Sequence, residues 1–135
     1  MKVLIADDSV MVIDRIMEIL RELPGLEIAG CAKDANETLQ LVGQLDPQVI
    51  ILDLEMPGGS ALDVLRAIKA GRPHIVAIVL TNSASIPFRK ACTTVGAEFF
   101  LDKSYEFEQL RGILAQIVQN AENELERSTL ERATS

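Results

Sequence analysis

Asp7-Asp8, Asp53, Thr81 and Lys103 each stand at or just past the end of a short apolar run. Together they offer three carboxylates, a hydroxyl and an ammonium. If the fold gathers them, two of the carboxylates about 5 Å apart repel by roughly 3 kcal/mol at an effective dielectric of 20. A divalent cation relieves that repulsion. Oxygen-only donors suit Mg²⁺, which keeps several waters and takes one or two carboxylates, and no His or Cys is placed to hold a softer metal. A phosphoryl group carried by Asp53 would then find Mg²⁺, Thr81 and Lys103 where its oxygens call for neutralisation and hydrogen bonding. The set reads as a phosphoaspartate site.

Gathering these residues requires a particular scaffold, and the hydrophobic pattern supplies it. Apolar runs over 3–6, 26–32, 49–52, 75–80 and 99–101 alternate with segments of helical period, the mark of a parallel α/β sheet. Ser9 caps a helix whose apolar face is Ile13, Ile16, Met17 and Leu20, and Pro24-Gly25 ends it. The second run alternates, as expected of a half-exposed edge strand. Asp34 and Glu37 form a capping box for a helix reaching about Leu45. Val49-Ile50-Ile51-Leu52 is apolar without interruption, as a strand covered on both faces should be. Ser60 caps a helix bearing Leu62, Leu65 and Ile68. The polar stretch 81–85 is a loop, and Pro87 suits the first turn of a shorter helix ending near Gly96. The last helix starts at about Glu106 and turns Leu110, Ile113, Leu114, Ile117 and Val118 inward.

Five βα units are too few for an eight-fold barrel. They predict an open, flavodoxin-like doubly wound five-stranded parallel sheet in the order 2-1-3-4-5, with five helices. Ligands in such sheets bind beyond the carboxyl ends of the strands, near the switch point between the first and third. Asp7-Asp8, Asp53, Thr81 and Lys103 all fall on that rim.

Length and composition bound what such a site can belong to. One domain's worth of chain, 135 residues, buries enough surface to fold without a disulfide or structural metal. Its formal net charge of −7 speaks against nucleic acid as a partner, because phosphate backbones are held by clustered Lys and Arg. No run approaches the roughly 20 apolar residues of a membrane span, so no membrane role and a cytoplasmic location are expected. Cys31 and Cys92 read as buried, reduced thiols, and His74 as a loop residue. Residues 1–120 form the domain; residues 121–135, where apolar positions thin to Ala121, Leu125 and Leu130, read as a solvated helical extension that frays toward Ser135.

Asp7-Asp8, then Asp53 in Asp-Leu-Glu-Met-Pro-Gly, then Thr81, then Gly96-Ala97-Glu98-Phe99-Phe100-Leu101-Asp102-Lys103 resembles the receiver domain of two-component response regulators, from Met1 to about Asn120. The resemblance implies that Asp53 accepts phosphate from the histidine of a sensor kinase or phosphotransfer protein. It implies Mg²⁺ held directly by Asp8, Asp53 and the backbone carbonyl of Glu55, and by Asp7 through water. Thr81 and Lys103 would bind the phosphoryl group, and Phe100 would be the aromatic that changes rotamer as Thr81 moves. The switched face would be the fourth helix, fifth strand and fifth helix, where a downstream protein or, on phosphorylation, a second copy would dock. Ser104 stands where the family most often has a cis proline. Asn82 and Glu55 flank the site where bulk can alter access to the phosphoryl group.

With only about 15 residues beyond the last helix's apolar face, the expectation is a stand-alone, single-domain response regulator. It is not an enzyme in its own right but a phosphoacceptor that assists its own phosphorylation and dephosphorylation. The alternative is the receiver portion of a DNA-binding transcriptional regulator. A phosphoaspartate hydrolase with Glu55 as general acid is a third reading, disfavoured by the lack of any insertion to shape a substrate pocket.

Overall fold

The computed structural model describes residues 1–82 and 84–134; Ser83, within the expected 81–85 loop, and the terminal Ser135 lie outside the described residues. The elements are β1 (Lys2–Ala6), α1 (Val10–Glu22), β2 (Glu27–Ala32), α2 (Ala35–Leu45), β3 (Val49–Leu52), α3 (Ala61–Gly71), β4 (Val76–Thr81), α4 (Ile86–Val95), β5 (Phe99–Asp102) and α5 (Gln109–Thr134). All strand pairs are parallel and the order is β2-β1-β3-β4-β5. The expected doubly wound, flavodoxin-like α/β fold is therefore the observed one.

The sheet separates two apolar layers. Leu4, Ile50, Leu52, Val79 and Phe100 face α2, α3 and α4, where Val42, Leu65 and Cys92 meet them. Val3, Ile5, Ile51, Leu80 and Leu101 face α1 and α5, against Ile16, Leu110 and Leu114. Alternation along each strand puts neighbouring residues on opposite faces, so β3, covered on both, is wholly buried. β2, at the edge, is mostly half-buried, and Cys31 on it is half-buried rather than fully buried as the sequence suggested. Cys92 is buried as expected.

Side-chain caps set the helix starts. Ser9, Asp34, Ser60 and Ser85 each accept from a backbone N–H in the first turn of the helix that follows, satisfying donors with no intrahelical partner. At α2 the Asp34 bond is 2.7 Å and Glu37 returns to the Lys33 N–H. Most strand boundaries differ from the expected ones by a single residue, and the differences at β4 and α5 have local reasons. Ile75 N–H bonds Arg72 in a turn, so β4 begins one residue later and Thr81 ends the strand rather than starting the loop. Residues after Lys103 form turns, with Glu106 N–H on Asp102 and Gln109 N–H on Glu106, so α5 starts at Gln109 and not Glu106. Phe107, within those turns, is buried under Arg15, whose guanidinium lies 3.8 Å from the ring centre.

Candidate functional site: an acidic pocket at the carboxyl rim

β1 and β3 are neighbours, with Ala6 beside Leu52, so the chain delivers Asp7 and Asp53 side by side as each strand ends. The Asp53 N–H bonds the Ala6 carbonyl at 2.9 Å and the Asp7 N–H bonds Ala32 at 2.9 Å, extending the ladder into the site. Asp7 and Asp53 are each only 2% exposed, while Asp8 is exposed at the mouth. One carboxylate oxygen from each of the three lies within 4.8 Å of the others. Three oxygen donors so placed, without nitrogen or sulfur, fit a small hard cation such as Mg²⁺.

The fourth member arrives from the other side of the sheet. Lys103 N–H bonds the Thr81 carbonyl at 2.9 Å, which fixes the chain just past β5. Its ammonium then reaches across to Asp7 Oδ2 at 2.8 Å and Asp53 Oδ2 at 3.2 Å. The remaining oxygens take backbone donors: Ser9 N–H on Asp7 Oδ1 at 2.8 Å and Glu55 N–H on Asp53 Oδ1 at 3.0 Å. Burial pushes the Asp53 carboxyl above the usual range, and the Glu55 N–H and Lys103 charge only partly offset this. For Lys103, burial works against the ammonium, but the Asp7 hydrogen bond and the charges of Asp53 and Asp7 outweigh it and raise its pKa.

The loop after Asp53 is shaped by Gly58 and Gly59, at φ +93° and +140°. Those angles favour glycine. They bring the Pro57 carbonyl onto the Ala35 N–H at 3.1 Å and so pin the loop to α2.

The structure thus brings Asp7, Asp8, Asp53 and Lys103 together, with Thr81 fully buried at the adjacent strand end. Glu55 and Asn82 are exposed. Phe100 is buried in the apolar layer under α2, α3 and α4. The Lys103–Ser104 peptide is trans, as are all others among the described residues. Arg89 and Glu106 were missed by sequence reasoning. They pair at 2.7 Å beside Phe100, and a contact between α4 and a loop 17 residues away leaves no periodic signal.

A flavodoxin-like sheet carrying a buried acidic pair, a third acid at the mouth and a bridging lysine is the architecture of a receiver. The family model for the response regulator receiver domain matches residues 3–115, and the chain belongs to that family. Phosphorylation and Mg²⁺ binding are general properties of its members. The response regulator GacA of Pseudomonas aeruginosa is 29% identical over 116 residues, which cover 86% of this chain and 54% of that protein. A protein-glutamate methylesterase/protein-glutamine glutaminase of Treponema pallidum is 36% identical over 120 residues, 86% of this chain and 30% of that one. The chain therefore spans about half, or less, of the length of these relatives. Among solved structures, the isolated receiver domain of RcsB from Salmonella enterica serovar Typhimurium, with phosphomimetic BeF₃⁻, superposes with a TM-score of 0.82 at 28% identity, covering 88% of each chain. RcsB has also been solved bound to the promoter rprA. No described helix is long and apolar enough to cross a membrane.

Proposed function

We propose that Asp53 accepts a phosphoryl group from the phosphohistidine of a sensor histidine kinase or phosphotransfer protein, and that the face formed by α4, β5 and α5 reports the change. The observation that carries this reading is the convergence of three carboxylates and Lys103 on one rim. Asp8, Asp53 and the Glu55 carbonyl would hold Mg²⁺, with Asp7 joining through water. When bound, the ion supplies positive charge to phosphoryl oxygens and to the crowded carboxylates.

An Asp53 carboxylate oxygen forms the P–O bond as the P–N bond of the donor breaks, and the electron pair leaves with the imidazole. The Lys103 ammonium, already between Asp7 and Asp53, exchanges part of that pairing for a phosphoryl oxygen. Thr81 donates its hydroxyl to another, and Phe100 changes rotamer as Thr81 moves. Glu55 and Asn82, both exposed, modulate access of water. Such a chain is a phosphoacceptor that assists its own phosphorylation and dephosphorylation rather than an enzyme with a separate substrate. Residues 1–120 are the receiver unit and 121–135 its helical extension, in the cytoplasm. A downstream protein docks on the switched face, through which two phosphorylated copies also pair.

A second reading, the receiver portion of a DNA-binding regulator, is favoured by the likeness to GacA and to promoter-bound RcsB. A net charge of −7 opposes DNA contact by these residues themselves, and a gel shift by the phosphorylated chain would overturn the first reading in favour of the second. The primary test is intact mass after incubation with acetyl phosphate and Mg²⁺. Gain of one phosphoryl group, lost with EDTA and in Asp53→Asn, is expected; no gain by the wild type refutes the reading.

A further inference from the structure

Arg89, in the first turns of α4, ties together three parts of the face described above. Its guanidinium carbon lies 4.7 Å from the centre of the Phe100 ring. Nη1 donates to the Phe100 carbonyl at 2.9 Å and Nη2 to Glu106 Oε1 at 2.7 Å. The same Glu106 oxygen accepts the Asp102 N–H at 3.0 Å, and Glu106 N–H donates to the Asp102 carbonyl at 2.8 Å. Asp102 Oδ1 in turn accepts the Ser104 N–H at 2.7 Å. One side chain of α4 thus grips the end of β5 and, through Glu106, the backbone on both sides of Lys103.

Phe100 is 6% exposed whereas the Arg89 side chain stacked over its ring is 43% exposed, so the guanidinium roofs the ring on its solvent side. An outward rotation of the ring needs the space the roof fills. A planar guanidinium suits this place because it can stack on a ring while donating in two directions; an ammonium cannot do both.

We propose that Arg89 and Glu106 form a latch that holds Phe100 inward, with Arg89 as the positioning residue of the aromatic switch, a role that rests on the receiver reading above. Phe100 cannot change rotamer while the Arg89–Glu106 pair is closed, so movement of α4 and of the loop following Lys103 is coupled to the ring. The hydrogen bond from Arg89, and then that from the Asp102 N–H, holds the Glu106 carboxyl below its usual range, so the pair stays charged at neutral pH.

The test is ¹⁹F NMR of the full chain labelled with 4-fluorophenylalanine, with the Phe100 line among the four phenylalanines assigned by its loss in Phe100→Leu. The wild type without phosphodonor should give one inward Phe100 line. Arg89→Ala should raise the outward population roughly tenfold, the size expected from losing a charge-assisted hydrogen bond, seen as a shifted or exchange-broadened line. Arg89→Lys should move the same line, because the charge survives but the roof does not. Glu106→Gln should move it less, and it carries the test alone if Arg89→Ala does not fold. A Phe100 line at wild-type position and width in Arg89→Ala and Glu106→Gln overturns the latch. Because the measurement uses no phosphodonor, a wild type that fails to phosphorylate would refute the function and leave this result standing.

Discussion

Asp53 and Lys103 set the energetics of the site before any ligand arrives. Sequence alone suggests three acids whose repulsion a divalent cation relieves, with Lys103 on the same rim; the folded chain places the Lys103 ammonium directly between two of them. Removing it in Lys103→Met strands two buried carboxylates and should cost about 3 kcal/mol at pH 7. Urea unfolding should show that deficit shrinking as pH falls and the acids protonate. Asp53 behaves in the opposite sense. Its folded pKa is raised, chiefly by burial, so folding takes up a proton between the unfolded and folded values and stability falls as pH rises through that interval. Asp53→Asn, which cannot ionise, should therefore melt several degrees above wild type at neutral pH in EDTA, and the gap should close toward pH 4. A lower melting point for Asp53→Asn at pH 7 would contradict this account of the pocket. The identities of these residues were legible because each ends an apolar run; the path of Lys103 to Asp7 was not, since it depends on side-chain reach across β3.

At the scale of elements, the legible features were uninterrupted apolar runs and apolar stripes of helical period. Strands β3 and β4, covered on both faces, and the apolar stripe of α5 stand out in the sequence. Starts and stops governed by single hydrogen bonds did not, as at Ile75 and at the turns before α5. Caps are the exception, and Asp34 is the clearest. Asp34→Ala removes a 2.7 Å bond to the Glu37 N–H and should cost about 1 kcal/mol in denaturant unfolding. Gly96, at φ +122°, ends α4 with its N–H on Cys92 and Thr93. An added Cβ would meet Lys69 Cγ at 3.3 Å, a lysine held by Glu98 with its side chain 9% exposed. Gly96→Ala should destabilise by about 1–2 kcal/mol from backbone strain alone, and a neutral result would show that the turn relaxes.

For the molecule as a whole, the order 2-1-3-4-5 is what makes one rim from residues up to 96 positions apart, and that order followed from the count of βα units. The long α5 separates into two parts by burial. Leu110, Leu114 and Ile117 lie in the core, whereas Leu125 and Leu130 are 70% and 66% exposed. Truncation after Asn120 should leave the unfolding free energy within about 0.5 kcal/mol of the full chain, as for other changes away from packed sites; a larger loss would make residues 121–135 part of the folding unit. The rim is proposed to serve the phosphorylation of one carboxylate, that of Asp53. Borohydride reduction after acetyl phosphate and Mg²⁺ treatment, followed by peptide mapping, tests it most directly because it converts an aspartyl phosphate to homoserine at its position. Homoserine at residue 53 alone is the expected result, and homoserine elsewhere, or none, would contradict the account.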